Sequence, residues 1–92
     1  MQFERNPDKA ALNLKKHGAS FDEAATVFND SLSVTFPDSD HSYSVERYVI
    51  IGLSSANRLL IVAHTDRADR VRLISAREAT RFEQRFYKDG YK

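Results

Sequence analysis

The chain has 92 residues, which is enough for one domain with a single hydrophobic core. Its hydrophobic and charged fractions are ordinary for a globular protein, and no apolar run approaches the ~18 residues of a membrane span, so the sequence excludes a transmembrane segment. Cysteine is absent, which excludes a disulfide framework and a thiolate metal site. The N-terminal residues lack an apolar signal region, and we therefore expect the protein in the cytoplasm.

The net charge of +1 conceals an asymmetry between the two halves of the chain. Residues 1–46 carry four basic and eight acidic side chains, while residues 47–92 carry ten basic and five acidic ones, giving −4 and +5. Such segregation of charge usually indicates binding of a charged partner rather than a requirement of the fold. Phosphate-rich ligands are suitable partners for the basic half. The acidic half either keeps the protein soluble or meets a basic partner.

Two short helices are predicted at the start of the chain. The Asn-Pro-Asp segment 6–8 starts a helix that ends before Gly18, over about residues 7–16. The Ser and Glu at the ends of segment 20–23 form a capping box, and the apolar positions that follow share one face. These two features predict a second short helix, which extends to about Phe28.

A β-rich region follows these helices. Strands are predicted within segments 33–36, 44–54, 58–65 and 70–75. The connections between the last three strands are short, so these strands should be antiparallel neighbours, and the first strand should complete a four-stranded meander.

The last predicted element is a C-terminal helix. Ser75 and Glu78 repeat the capping box, which predicts a helix from about Ala76 to about Lys88. The element order is then helix, helix, four strands and helix. We predict a single α+β domain over residues 1–92, with the helices packed on one face of an antiparallel sheet.

Arginine is concentrated in this last helix and in the strand before it. Arg77, Arg81 and Arg85 recur every four residues and are predicted to form a guanidinium row on the helix. In the strand, Arg70 and Arg72 alternate with apolar residues and should project from one face of the sheet. Guanidinium groups bind phosphate with two parallel hydrogen bonds and stabilise charge on phosphoryl oxygens.

Several of these features have a plainer interpretation. Arginine at every fourth helical position is often a solvated face. His17 before Gly18 is typical of a cation at a helix C-terminus, and His64 among apolar neighbours is typical of a packed ring. The loop at 38–41, Asp-Ser-Asp-His, resembles a metal loop but lacks the glycine and closing glutamate of a calcium site, so we expect a turn and no metal.

The chain contains, in order, the segments KHGASFDEAATVFND, FPDSDHS, ERYVIIGLS, RLLIVAHTDR and RVRLISAREATRFEQRFY. In these segments, over about residues 3–87, it resembles the BrnT family of toxins from bacterial toxin–antitoxin modules. The most specific pieces are Lys16-His17-Gly18, His64-Thr65, Ile74-Ser75-Ala76-Arg77 and Thr80-Arg81. The chain departs from the family at Arg5-Asn6, where Trp-Asp is frequent, and at Asn57, where glycine is frequent.

The resemblance implies a small RelE-like α+β ribonuclease that cleaves RNA and arrests growth until a cognate antitoxin neutralises it. It also implies that the antitoxin is a ribbon-helix-helix DNA-binding protein, so that the toxin meets DNA only through it. Toxin and antitoxin would pair into a dimer of heterodimers that represses their operon. Because the arginine row is basic and exposed, we expect the antitoxin to cover it directly rather than to distort it from elsewhere.

On this basis we expect a metal-independent, cofactor-free endoribonuclease in which the RNA 2′-hydroxyl attacks the adjacent phosphate. This reaction requires charge stabilisation at the phosphate and proton transfer at two oxygens. We assign charge stabilisation to Arg67, Arg77 and Arg81. Tyr87 is assigned to proton donation or base stacking.

Further residues are expected to line the RNA path: His64, Arg70, Arg72 and Arg85. His17 is a reserve candidate for proton transfer, and Glu83 is a reserve candidate for holding an arginine. An alternative of a different class is a non-catalytic interaction module, in which the arginines bind nucleic acid or an acidic protein without chemistry. The two hypotheses differ in whether the protein alone stops bacterial growth.

Overall fold

The structure is a computed structural model that describes residues 2–38 and 47–89. In chain order its elements are β1 (Gln2–Glu4), α1 (Pro7–His17), α2 (Phe21–Thr26) with a 3₁₀ turn (Val27–Asn29), β2 (Val34–Pro37), β3 (Tyr48–Leu53), β4 (Leu59–Arg67), β5 (Arg70–Glu78) and α3 (Arg81–Asp89). The α+β class predicted from the sequence is confirmed.

The two N-terminal helices form where their capping residues predict them. The Asn6 side chain accepts hydrogen bonds from the backbone N–H groups of Asp8 and Lys9, at 2.9 and 3.2 Å. Gly18 ends α1 in the left-handed conformation, with φ of 71°, where glycine has no steric penalty. The Ser20 hydroxyl accepts from the backbone N–H of residue 23 at 3.0 Å and begins α2.

The sheet has the strand order β1-β5-β4-β3-β2. The antiparallel meander predicted for the four longer strands is confirmed, and β1 was missed. Only three residues long, β1 lies parallel to β5, with Phe3 opposite Val71. The residues of β1 show no strand pattern of their own. They form a strand because they pair with β5, almost seventy positions away in the chain.

The predicted start of the last helix is wrong. Ala76 and Arg77 belong to β5, where they pair with Val62 and Ile61 of β4. The Asn13 amide holds this part of the strand, since it donates to the Ala76 carbonyl at 2.8 Å and accepts from the Ala76 N–H at 3.1 Å. These long-range hydrogen bonds outweigh the local helix-start signal.

The true capping box of α3 lies five residues further along the chain than the predicted one. The backbone N–H of Thr80 donates to the Glu83 carboxylate at 2.8 Å, and the backbone N–H of Glu83 donates to the Thr80 hydroxyl at 3.2 Å. The helix therefore begins at Arg81.

Helices cover both faces of the sheet, whereas the sequence predicted that all the helices pack on one face. The α1/α2 face is defined by six buried strand residues: Ile50, Leu60, Val62, Val71, Leu73 and Ala76. Phe21 and Ala24 of α2 pack against this face. The opposite face, the α3 face, carries Ile51 and Ile61, against which Tyr87 of α3 packs. No helix within residues 2–38 and 47–89 is long and apolar enough to cross a membrane.

One irregularity interrupts the pairing of β4 with β5. Ala63 lies opposite Ser75, but the next residue, His64, lies opposite Leu73, so Ile74 is an additional residue in β5. An additional residue of this kind is a β-bulge, and it reverses the inward–outward alternation beyond it.

Candidate active site

The bulge determines which face of the sheet the β5 arginines occupy. Before it, Val71 and Leu73 are buried on the α1/α2 face, so Arg70 and Arg72 project from the α3 face. After it, the alternation is reversed, and Arg77 projects from the α3 face as well, opposite Ile61. Because Arg67 pairs with Arg70, it shares the same face. Four predicted site residues therefore lie on one side of the sheet.

Arg77 is held by a two-pronged ion pair with Glu83. Its two terminal nitrogens donate to the two carboxylate oxygens, both at 2.8 Å, and one also donates to the Glu78 carbonyl at 3.2 Å. The hydrogen bonds from Arg77 lower the pKa of Glu83 to about 2 against the opposing effect of burial, and the same pair raises the pKa of Arg77. The pair therefore fixes the position of the guanidinium, which carries its positive charge in any case.

A groove of about 580 Å³ opens beside this ion pair, between α3 and the sheet. We call it the α3 groove, and it is lined by Phe36, Asp38, Val49, Ile51, Ile61, Arg77, Phe82, Glu83 and Phe86. Strands β2, β3 and β4 supply its apolar floor, and α3 supplies one wall. Among the described residues, its charged groups are Arg77 and Glu83 and, directly after β2, Asp38.

The predicted helical row of Arg77, Arg81 and Arg85 is wrong, because Arg77 lies in β5. Arg81 and Arg85 remain one turn apart on α3, next to the residues Phe82 and Phe86 that line the groove. Both arginines are exposed, and neither makes a hydrogen bond or ion pair with a residue in the described part of the chain. The α3 face thus combines one fixed guanidinium with several solvated ones.

Tyr87 lies outside the α3 groove and anchors the C-terminal part of α3. Its hydroxyl donates to the Asp30 carboxylate at 2.5 Å, and Asp30 also accepts the Leu53 N–H at 2.8 Å. Burial, together with this hydrogen bond and the Asp30 charge, raises the pKa of Tyr87 to about 12. The ring borders a separate, smaller cleft that includes Leu59. Its proton is therefore directed at Asp30 and not into the groove.

The two histidines in the described part of the chain, His17 and His64, lie apart from the arginines of the α3 face. His64 is buried on the α1/α2 face, with its ring 4.8 Å from that of Phe28 in an edge-on contact, and burial lowers its pKa. His17 ends α1, which packs on that same face. His41 of the proposed turn lies outside the described residues. No described histidine lines the α3 groove.

The remaining site residues predicted from the sequence are the strand arginines Arg67, Arg70 and Arg72. Arg70 pairs with Glu4 of β1 at 3.0 Å, while Arg67 and Arg72 make no hydrogen bond or ion pair within the described ranges. Among residues 2–38 and 47–89 no three His, Asp or Glu side chains are grouped so that they would hold a metal ion. The expected absence of a metal stays a prediction.

Comparison with known proteins identifies the family. The model of a family described as "Ribonuclease toxin, BrnT, of type II toxin-antitoxin system" matches residues 6–83. The chain belongs to the BrnT family. The resemblance stated from the sequence is thereby confirmed, and this BrnT-family chain is a ribonuclease toxin with an antitoxin as its partner.

A solved structure supports the fold of this BrnT chain. The crystal structure of the Brucella abortus ribonuclease toxin BrnT matches it with a TM-score of 0.68, over 88% of this chain and 99% of that one. The sequence identity is 20%, so the likeness concerns the fold. A search of curated proteins found no match.

Proposed function

We propose that this toxin is a metal-independent endoribonuclease in which the RNA 2′-hydroxyl attacks the adjacent phosphate. The products are a 2′,3′-cyclic phosphate and a 5′-hydroxyl. The observation that carries the proposal is the fixed guanidinium of Arg77 in the α3 groove, on a sheet face that also bears Arg67 and Arg72. Preorganised cations stabilise the charge that develops on the phosphoryl oxygens.

Arg77 retains hydrogen-bond donors for a phosphate while Glu83 holds it. A guanidinium has five N–H donors, and the contacts with Glu83 and the Glu78 carbonyl use three of them. The remaining two are the Nε–H and one Nη–H, which lie along one edge and match two phosphate oxygens. Glu83 is then a positioning residue, because a carboxylate with a pKa of about 2 is a weak base.

The other arginines are proposed to act around this centre. Arg81 contributes to phosphate binding and transition-state stabilisation. Arg67 lies opposite Arg70, which is seven residues from Arg77 along β5 and thus about 20 Å away, so Arg67 is proposed to guide the RNA backbone together with Arg70, Arg72 and Arg85. Tyr87 is proposed as an anchor for α3, since its hydroxyl is bonded to Asp30. His64 and His17 have no role in the chemistry proposed here, because both belong to the opposite side of the sheet.

The test uses purified toxin, EDTA and a short RNA that the toxin cleaves at one phosphodiester. We expect full cleavage in EDTA, a cyclic phosphate on the 5′ product, and no cleavage when the attacking ribose carries 2′-hydrogen. Cleavage of the 2′-deoxy substrate at the same bond, or restoration of activity only by added Mg²⁺, would overturn the mechanism.

The biological setting belongs to the same proposal. RNA cleavage arrests growth until a ribbon-helix-helix antitoxin neutralises the toxin, and the two proteins pair into a dimer of heterodimers that represses their operon through the antitoxin. We propose that the antitoxin covers the α3 face, whose exposed cations attract an acidic segment. Hydrogen exchange provides the test, because unchanged protection across residues 67–87 in the complex would exclude direct cover.

A further inference from the structure

The α3 groove is built differently from a surface that binds phosphate alone. Its floor is aliphatic, formed by Val49, Ile51 and Ile61. One side is aromatic, where the rings of Phe36 and Phe86 meet edge-on with centroids 6.1 Å apart. Phosphate binding requires neither surface, so the apolar part of the groove needs another explanation.

Phe82 gives the groove an exposed aromatic edge. Its side chain is 73% exposed, the highest value among the exposed large hydrophobic residues in the described part of the chain. Phe82 follows Arg81 directly and lies one helical turn from Phe86. A phenyl ring left in solvent beside cations is a surface on which a flat, uncharged group can stack.

The combination matches one nucleotide. A nucleotide joins a base, which has two flat π faces, to an anionic phosphate, and the groove joins aromatic walls to the guanidinium of Arg77. Its volume of about 580 Å³ falls within the range of small-ligand pockets. A base that is stacked in a helix cannot enter a groove walled by α3, so the RNA must present it unpaired.

We propose that the α3 groove binds one unpaired RNA base adjacent to the phosphate that is cleaved. Phe82 and Phe86 supply the stacking surface, and Arg77 contacts the neighbouring phosphate. The inference rests on the proposed ribonuclease function and adds its substrate class, which is single-stranded RNA read by stacking at one position.

The experiment removes the base while leaving the backbone. The substrate is a short RNA with one cleavable bond, and the base on either side of that bond is replaced in turn by an abasic ribose. We expect one of the two abasic substrates to lose about tenfold or more in kcat/KM, which is the scale of base–aromatic stacking. The other abasic substrate should be cleaved almost normally.

Variants connect this loss to the groove. Phe82→Ala should lower kcat/KM on the intact RNA by a similar factor but have little further effect on the sensitive abasic RNA, because the stacking is already absent. Phe82→Trp should retain activity. Leu12→Ala is the matched control, since Leu12 is 66% exposed but belongs to α1 on the other side of the sheet.

The possible outcomes separate this inference from the proposal beneath it. Equal cleavage of intact and both abasic substrates would overturn the base pocket while leaving the ribonuclease mechanism intact. Failure to cleave any RNA in EDTA would overturn the mechanism itself. If Phe82→Ala cleaves RNA normally but is no longer inhibited by the antitoxin, the groove is a protein-docking site and the inference is wrong.

Discussion

Arg77 of β5 and Glu83 of α3 are joined by two parallel hydrogen bonds of 2.8 Å each. Glu83 also caps its own helix by accepting the Thr80 N–H. One carboxylate thus determines both where α3 begins and where the guanidinium of Arg77 lies. We therefore expect a substitution of Glu83 to displace the Arg77 guanidinium more than it disturbs the fold.

The first prediction concerns Arg77 itself. Arg77→Ala should lower the rate of RNA cleavage by about a hundredfold or more, the usual effect of removing a preorganised group that stabilises transition-state charge. Stability should fall by no more than about 1 kcal/mol, because the ion pair is partly exposed. Arg77→Lys should not restore cleavage, since an ammonium group cannot make the two-pronged contact. Single-turnover cleavage and thermal melting measure the two effects.

Arg85→Ala is the matched control for this series. It removes the same charge from an exposed site, about one and a half helical turns beyond Thr80, that makes no hydrogen bond or ion pair with Glu83, and it should lose much less activity. If folded Arg77→Ala cleaves RNA as fast as the wild type, the assignment of Arg77 to the chemistry is wrong and the ion pair has only a structural role.

The second prediction follows from the pKa of Glu83. That pKa falls from 4.5 to about 2 on folding, so the pair stabilises the native state above pH 4.5 and this contribution is lost as the pH falls towards 2. The wild type should therefore be more stable than Glu83→Gln at pH 7, with a difference that shrinks below pH 4.5. Melting temperatures of both proteins from pH 7 to pH 2 provide the measurement. A difference that stays constant over this range would contradict the prediction.

The third prediction distinguishes the two roles considered for Tyr87. Tyr87→Phe removes the hydrogen bond to Asp30, which should cost about 1 kcal/mol of stability while cleavage stays within a fewfold of the wild type. Because folding raises the Tyr87 pKa from 10 to about 12, the contribution of this hydroxyl should be present below pH 10 and lost as the pH rises towards 12.

Asp30→Asn gives the complementary control, since it weakens the same contact while the phenol remains. A folded Tyr87→Phe protein that loses a hundredfold or more in cleavage, while Asp30→Asn stays active, would make Tyr87 a proton donor.

The sequence predicts the two N-terminal helices well, because their caps are local. It fails at α3, where two capping boxes compete: Ser75 with Glu78 and Thr80 with Glu83. Local chemistry does not separate them. The choice is made by strand pairing with β4 and by Asn13, and neither appears in the residues that surround the boxes.

The sequence predicts only part of the site, because the rest also depends on contacts between distant parts of the chain. Glu83, the reserve candidate for holding an arginine, pairs with Arg77 across a strand–helix junction rather than with an arginine along its own helix. Strict alternation would place Arg72 and Arg77 on opposite faces, and only the bulge at Ile74 brings them to the same one. A bulge depends on the register of the neighbouring strand, so the sequence of β5 alone does not show it.

The fourth prediction tests whether the α3 face follows the RNA backbone. Binding of an uncleavable RNA, with 2′-hydrogen at the scissile position, should weaken steeply with salt, because each phosphate contact releases counterions. Arg72→Ala should reduce the slope of log affinity against log salt by about 0.7, the value for one contact on a single strand. Lys9→Ala is the control, because Lys9 has the same charge but is exposed on α1, across the sheet. Fluorescence anisotropy from low to physiological salt gives both slopes. Equal slopes for the two variants would mean that the toxin attracts RNA through its overall charge and that Arg72 makes no phosphate contact.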